Sequence, residues 1–305
     1  MTFKHIHVIV NPVSGPDPVP IDMISEKLEA SGAACKIRET EPDLSPREQA
    51  RAAVEDGADL VIAVGGDGTV LKVAEGLIES GVPLGIIPEG TANVFATELG
   101  IPANSGEALD LLLEGETVIR SVDTGTVGGE SFLLRVGVGL EAAMTVLTEP
   151  ELKSRFGSLA YIWTAIKLGR KMKHTHYELE LDGKRKVVKG VTCVICNSGN
   201  LGLPGVQLMP EMDLSDGYLN VVVIKQATLR TVGSIIYHAL SGVVSDEKVN
   251  GERRCYTLFS CPAKEVTVAP FPEQIAARDG EEIHSGFPLT IGVRHKALLV
   301  AVPAR

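Results

Sequence analysis

Three short segments in the first third of the chain combine glycine with hydroxyl, amide and carboxyl side chains. They are Asn11-Pro12-Val13-Ser14-Gly15, Gly65-Gly66-Asp67-Gly68-Thr69 and Pro88-Glu89-Gly90-Thr91-Ala92-Asn93. Glycines let backbone amides approach a polyphosphate closely and adopt positive φ, and a following helix N-terminus adds partial positive charge. Thr69 and Thr91 carry hydroxyls suited to phosphate oxygens. Asp67 does not suit a bare anion. A carboxylate among phosphate-cradling amides makes sense if a magnesium ion lies between it and a nucleotide, or if it orients an attacking hydroxyl. The competing account makes each loop an ordinary strand-to-helix turn capped by Ser, Asp or Thr. Three such loops on one sheet edge weigh against that account.

The elements that must position these loops are legible around them. Residues 1–122 alternate short β-branched runs with helix-like segments, the pattern of a parallel sheet covered by helices. Strands are expected at 5–10, 34–38, 60–64 and 83–87, and helices at 21–31, 45–56, 69–79, 93–99 and 105–113. Ser45 and Pro46 supply a cap and a first-turn proline. Each glycine loop therefore follows a strand and precedes a helix, at the carboxyl edge where such folds bind ligands.

After Asp123 the texture changes to period-two strands, at 131–136, 177–181 and 219–224, with Gly, Asp and Pro turns between them. The fold class expected is an α/β nucleotide-binding domain over 1–122 plus a mostly-β sandwich domain over 123–296. The last strand, near 297–305, could return to the first domain. Two helical stretches, 157–173 and 229–243, interrupt the β half.

Composition narrows the function classes. A formal net charge of -10 over 305 residues argues against a general nucleic-acid binder, which needs a basic face. The apolar run before Pro12 is too short for a signal peptide, and no stretch approaches the roughly 20 apolar residues of a spanning helix. A cytoplasmic protein is expected, with any membrane contact peripheral. The five cysteines suggest no disulfide framework, and the Cys193/Cys196 pair sits in a strand that points the two thiols apart.

Asn11-Pro12-x-x-Gly15, Gly65-Gly66-Asp67-Gly68-Thr69 and Pro88-x-Gly90-Thr91-x-Asn93, in this order and spacing, resemble the diacylglycerol kinase catalytic domain. Bacterial lipid kinases, sphingosine kinases and ceramide kinases share that domain. No P-loop G-x-x-x-x-G-K-[ST] occurs. The resemblance continues through Asp213-Leu214-Ser215-Asp216-Gly217-Tyr218 and Asp279-Gly280-Glu281, and so covers essentially the whole chain.

The resemblance implies ATP as phosphoryl donor, magnesium, and a lipid acceptor at a membrane surface, in phospholipid metabolism. It implies nucleotide contacts at Asn11, Pro12, Val13, Ser14, Gly15, Thr40, Gly65, Gly66, Asp67, Gly68, Thr69, Thr91 and Asn93. A structural magnesium ion would use the Asp213 and Asp216 side chains and the Tyr218 carbonyl, a hard-oxygen set. Glu281 maps to the general base, with Asp67 as the other catalytic candidate. Simpler accounts stand beside these: an Asx turn at Asp216-Gly217, a hairpin turn at Asp279-Gly280, a solvated Thr40, and Asn93 as a helix cap.

Two residues depart from the family pattern. Lys72 stands where the family usually has glutamate, and Val94 where it often has an acidic residue. Lys72 could bind a γ-phosphate or a headgroup phosphate, or be a solvated helix lysine. Residues 156–176 combine Trp163 and neighbouring apolar side chains with Lys167, Arg170, Lys171 and Lys173, a composition that suits either an anionic membrane or a core helix with a basic end. The rivals are a kinase acting on NAD, which would share the Gly65-to-Thr69 block, and a non-catalytic nucleotide or lipid sensor. The acceptor lipid and the oligomeric state, monomer or homodimer, stay open at this level.

Overall fold

A computed structural model of the chain describes residues 3–15, 19–41, 43–147, 174–203, 206–207, 212–226, 248–249, 252–254 and 258–304. The two helical stretches expected at 157–173 and 229–243 lie outside them. The chain forms two compact units, Met1–Asp123 with Lys296–Arg305, and Thr124–His295.

In the first unit, strands and helices alternate: β1 His5–Val10, α1 Ile21–Ala30, β2 Ala34–Glu39, α2 Pro46–Glu55, β3 Leu60–Gly65, α3 Asp67–Leu77, β4 Leu84–Pro88, α4 Val94–Glu98 and α5 Ser105–Leu113. The near-continuous apolar runs of β1, β3 and β4 mark strands covered on both faces, and every residue of β3 and β4 is buried. β2, β1, β3 and β4 pair in parallel in that order, with the C-terminal part of the last strand parallel beside β4. Connections reverse direction between β1 and β3, the switch point where a doubly wound sheet opens a crevice at its carboxyl edge. Ile6, Val8, Leu60, Ile62 and Val64 form the core with Ile24 and Leu28 of α1 and Leu109 and Leu112 of α5. α2 begins with a full capping box, in which Ser45 and Glu48 satisfy each other's backbone amides.

The second unit is β-rich. Its elements are β5 Thr117–Val127, whose first part belongs to the first unit, β6 Glu130–Phe132, β7 Arg135–Gly139, α6 Leu140–Leu147, β8 Thr175–Leu181, β9 Lys184–Gly190, β10 Thr192–Cys196 and β11 Asn200–Leu203. There follow β12 Val206–Gln207, β13 Leu219–Ile224, β14 Lys248–Val249, β15 Glu252–Arg254, β16 Leu258–Ala263, β17 Glu265–Phe271, β18 Ala276–Arg278, β19 Glu281–Ile283 and β20 Leu289–Pro303. One antiparallel sheet runs β14-β15-β16-β13-β10-β7-β18-β19, and β20-β17-β8-β9 forms the facing layer. Inward residues of both layers, among them Val136, Val138, Ile195 and Val221 from one and Tyr177, Leu179, Val268 and Ile291 from the other, make a single core. That is a β-sandwich. The strict alternation of burial along β8 is the pattern its sequence announces.

One strand expected from the sequence is two. Residues 131–136 break at Leu133 and Leu134, between β6 and β7, because the Asp279 carboxylate takes the amides of Leu133, Leu134 and Arg135 at 2.6–3.0 Å. Amides turned to a side chain cannot serve a strand ladder at the same time.

Candidate functional site

Within the first unit the three glycine loops meet. Asn11 follows β1 and its amide donates to the Val64 carbonyl of β3, while Glu89 at the end of β4 donates to the Gly65 carbonyl. The ladder therefore carries all three loops to one edge. Gly66 and Gly90 face each other so closely that a Cβ built on Gly90 would lie 2.5 Å from the Gly66 Cα. Gly15, at φ 74°, points where a Cβ would meet the Glu89 carbonyl at 2.2 Å. These glycines are required by backbone-on-backbone contact and not only by turn shape.

Polar side chains tie the loops together. The Asn11 amide donates to the Thr69 hydroxyl at 3.1 Å, linking the first loop to the second. Asp67 opens α3, and its carboxylate accepts the Phe95 amide at the start of α4 at 3.1 Å, linking the second to the third. Asn93 sits in the left-handed region at φ 47° and both donates to and accepts from the Gly90 backbone at 2.8 Å. Its conformation closes the third loop by a reciprocal pair, and its side chain makes no cap bond to the helix that follows. Glu89 is turned away, hydrogen-bonded to the Ser105 hydroxyl.

What this arrangement can do chemically follows from its donors. The first intrahelical bond of α3 runs from the Val70 amide to the Gly66 carbonyl, so the preceding amides are not consumed by the helix. A glycine-rich helix N-terminus with such amides accommodates anionic oxygens. Thr69 is buried, whereas Gly68 and Thr91 are exposed at the loops. In the first loop Ser14 is buried, Pro12 half-buried and Val13 exposed. Thr40 extends the β1–β2 ladder by donating to the Val10 carbonyl at 2.8 Å, which sets it beside Asn11. Lys72 lies further along α3 and reaches towards Glu75 on its own helix at 3.9 Å. Val94 is buried at the first position of α4, where an acidic side chain would be taken out of water.

In the second unit two clusters stand out. Asp213 and Asp216 are exposed on one turn, and each carboxylate accepts the amide two residues on, from Ser215 at 3.0 Å and Tyr218 at 2.9 Å. These are the Asx turns that the alternative account expects. They also aim two hard-oxygen side chains from one short turn, a donor type that fits magnesium. Among the described residues, no group of three or more His, Cys, Asp or Glu side chains is placed to hold a metal.

The other cluster is the hairpin that joins β18 to β19. Its two-residue turn, Asp279-Gly280, has φ of 43° and 100°, the positive pair that a type I′ turn demands. Burial pushes the Asp279 carboxyl up to about 6, against the pull of the three backbone amides it accepts. Glu281, directly across the hairpin from Arg278, is exposed, with its carboxylate 2.9 Å from the Arg278 guanidinium. Arg278 is 3% exposed and donates as well to the Ser131 carbonyl at 2.9 Å. Sequence reasoning missed Arg278, since an arginine beside two alanines in a short strand carries no signal of its own burial. Cys193 and Cys196 are both buried in β10, where desolvation pushes the Cys196 thiol up to about 12, so neither is a ready nucleophile.

Comparison with known proteins places these features in a family. The diacylglycerol kinase catalytic domain model matches residues 5–127, and the YegS C-terminal, NAD kinase β-sandwich-like domain model matches residues 135–302. A diacylglycerol kinase from Bacillus subtilis is 30% identical, covering 83% of each chain. One from Staphylococcus epidermidis is 28% identical over 91% of this chain and 86% of its own. A solved structure from Bacillus anthracis, assigned to the diacylglycerol kinases, matches with a TM-score of 0.79 at 25% identity, over 99% of this chain and 98% of that one.

Proposed function

The chain belongs to the diacylglycerol kinase family, and on that premise we propose that it transfers the γ-phosphoryl group of ATP to a hydroxyl of diacylglycerol or a related lipid. The observation that carries this reading is the convergence of the three glycine loops at the switch point of the parallel sheet, locked by Gly66 against Gly90. Backbone amides and hydroxyls of residues 11–15, 65–69 and 88–93, with Thr40, would hold the nucleotide phosphates. Loose phosphoryl-transfer transition states need positioning and charge neutralisation more than covalent help.

In the step itself, the acceptor hydroxyl oxygen forms a bond to the γ-phosphorus as the bond to ADP breaks. The hydroxyl proton passes to Glu281, a contribution of about 10²- to 10⁴-fold for a positioned base. Asp67 orients reactants at the glycine loop. Magnesium, when bound, supplies charge neutralisation at the phosphates, and Asp213, Asp216 and the Tyr218 carbonyl would hold a second, structural ion. Lys72, whose ammonium lies 3.9 Å from Glu75, would add a phosphate contact. The lipid would be met at a membrane surface; no helix among the described residues is long and apolar enough to cross a membrane.

The test is radiolabelled ATP offered to diacylglycerol, monoacylglycerol, a sphingoid base and phosphatidylglycerol, with NAD included because the second domain model carries NAD kinase in its name. Label in a lipid phosphate is expected. Label on NAD alone, or on no acceptor, overturns the reading.

A further inference from the structure

Arg278 is an expensive residue where it stands. It closes β18 after the buried Ala276 and Ala277, and a guanidinium taken out of water must recover its hydration from fixed partners. Those partners come from two sides. Nη1 donates to the Ser131 carbonyl at 2.9 Å and lies 3.2 Å from the Glu130 carboxylate, both on β6. Nη2 donates to Glu281 Oε2 at 2.9 Å. The guanidinium is therefore tied to β6 whether or not Glu281 engages it.

Glu281 is the more exposed half of the pair. Its side chain is 50% exposed, against 3% for Arg278, so the carboxylate is gripped from its buried side while much of its surface stays open. The strand register puts the two residues directly opposite each other, across a two-residue turn whose tip is pinned by Asp279 to residues 133–135. A long, exposed glutamate would otherwise sample several rotamers, and ordering it during the reaction would cost rate.

We propose that Arg278 is a positioning residue for phosphoryl transfer: anchored on β6 through Ser131 and Glu130, it fixes the Glu281 carboxylate in the pose from which the acceptor hydroxyl's proton is taken. The proposal rests on the reading of Glu281 as the base.

The experiment uses the full chain with radiolabelled ATP and dioleoylglycerol in mixed micelles, and compares wild type with Glu281→Gln, Arg278→Lys, Arg278→Leu and the Arg278→Leu/Glu281→Gln pair. Glu281→Gln lowers kcat by roughly 10²-fold or more and leaves the KM for ATP unchanged. Arg278→Leu lowers kcat by roughly 10- to 100-fold, again without moving that KM. Arg278→Lys recovers part of the loss, since an ammonium donates to one partner well but cannot reproduce the planar fork. The double variant is no slower than Glu281→Gln alone, within about twofold, because a positioning residue has nothing left to position. Melting curves fix the assay temperature below every transition, and Arg278→Lys carries the comparison should Arg278→Leu not fold. Wild-type kcat in both Arg278 variants, or a full additional loss in the double variant, overturns this inference and leaves the Glu281 reading standing. Wild-type kcat in Glu281→Gln, or no wild-type turnover on dioleoylglycerol or any lipid of the panel above, overturns both.

Discussion

The Asp67 carboxylate accepts the Phe95 amide at 3.1 Å across 28 residues of sequence. The acidic residue of the glycine loop thus has a structural duty, holding the start of α4 against the start of α3, in addition to the chemistry its surroundings suggest. Two substitutions separate these duties. Asp67→Asn keeps an acceptor oxygen and loses the charge, so it is expected to melt within about 1 kcal/mol of wild type while losing phosphoryl transfer. Asp67→Ala loses both and gives up roughly 1–2 kcal/mol besides. A folded Asp67→Asn variant with near wild-type turnover would remove Asp67 from the chemistry.

Gly90→Ala tests the contact that seals the loops. The new methyl would sit 2.5 Å from the Gly66 Cα and 2.7 Å from the Asn93 Oδ1, and a backbone atom cannot yield cheaply. A loss of roughly 1–3 kcal/mol in denaturant unfolding, with weakened ATP binding by titration calorimetry, is expected. An alanine variant that binds ATP like wild type would show that the loops need not close this tightly.

Asp216→Ala addresses the proposed structural ion. An ion that binds only the native state stabilises it by mass action, about 2.7 kcal/mol at a hundredfold excess over Kd. Wild type should melt higher when magnesium is added, and the variant should not respond. Identical melts for both proteins with and without magnesium leave Asp213 and Asp216 as Asx-turn residues alone.

Asp279 carries a pH signature. Its folded carboxyl titrates near 6, above the ordinary carboxylate value near 4, so the folded protein binds that proton more tightly than the unfolded chain. The stabilising contribution is complete below about pH 4 and is lost as pH rises through 6, up to roughly 3 kcal/mol in all. Asp279→Asn removes the titration, so wild-type stability measured relative to the variant should fall between pH 4 and 7. A difference that rises with pH would mean that the three backbone amides outweigh burial and hold the carboxyl low.

The sequence by itself determined whatever is decided within a few residues. The Ser45–Glu48 capping box, the apolar runs of β1, β3 and β4, the alternation along β8 and the glycine loops after the strands all follow from local sterics and hydrogen bonding. From them came the α/β-plus-sandwich class and the three-loop constellation at one sheet edge. Tertiary structure alone decided which glycines meet, that Asp67 reaches Phe95, and that Arg278 is buried against Glu281. It also decided that residues 131–136 break into two strands, since the carboxylate responsible is 146 residues away from Leu133. Such contacts depend on how distant segments pack. Residue type at one position limits what a side chain can do there, but the packing of the whole unit selects the partner it meets.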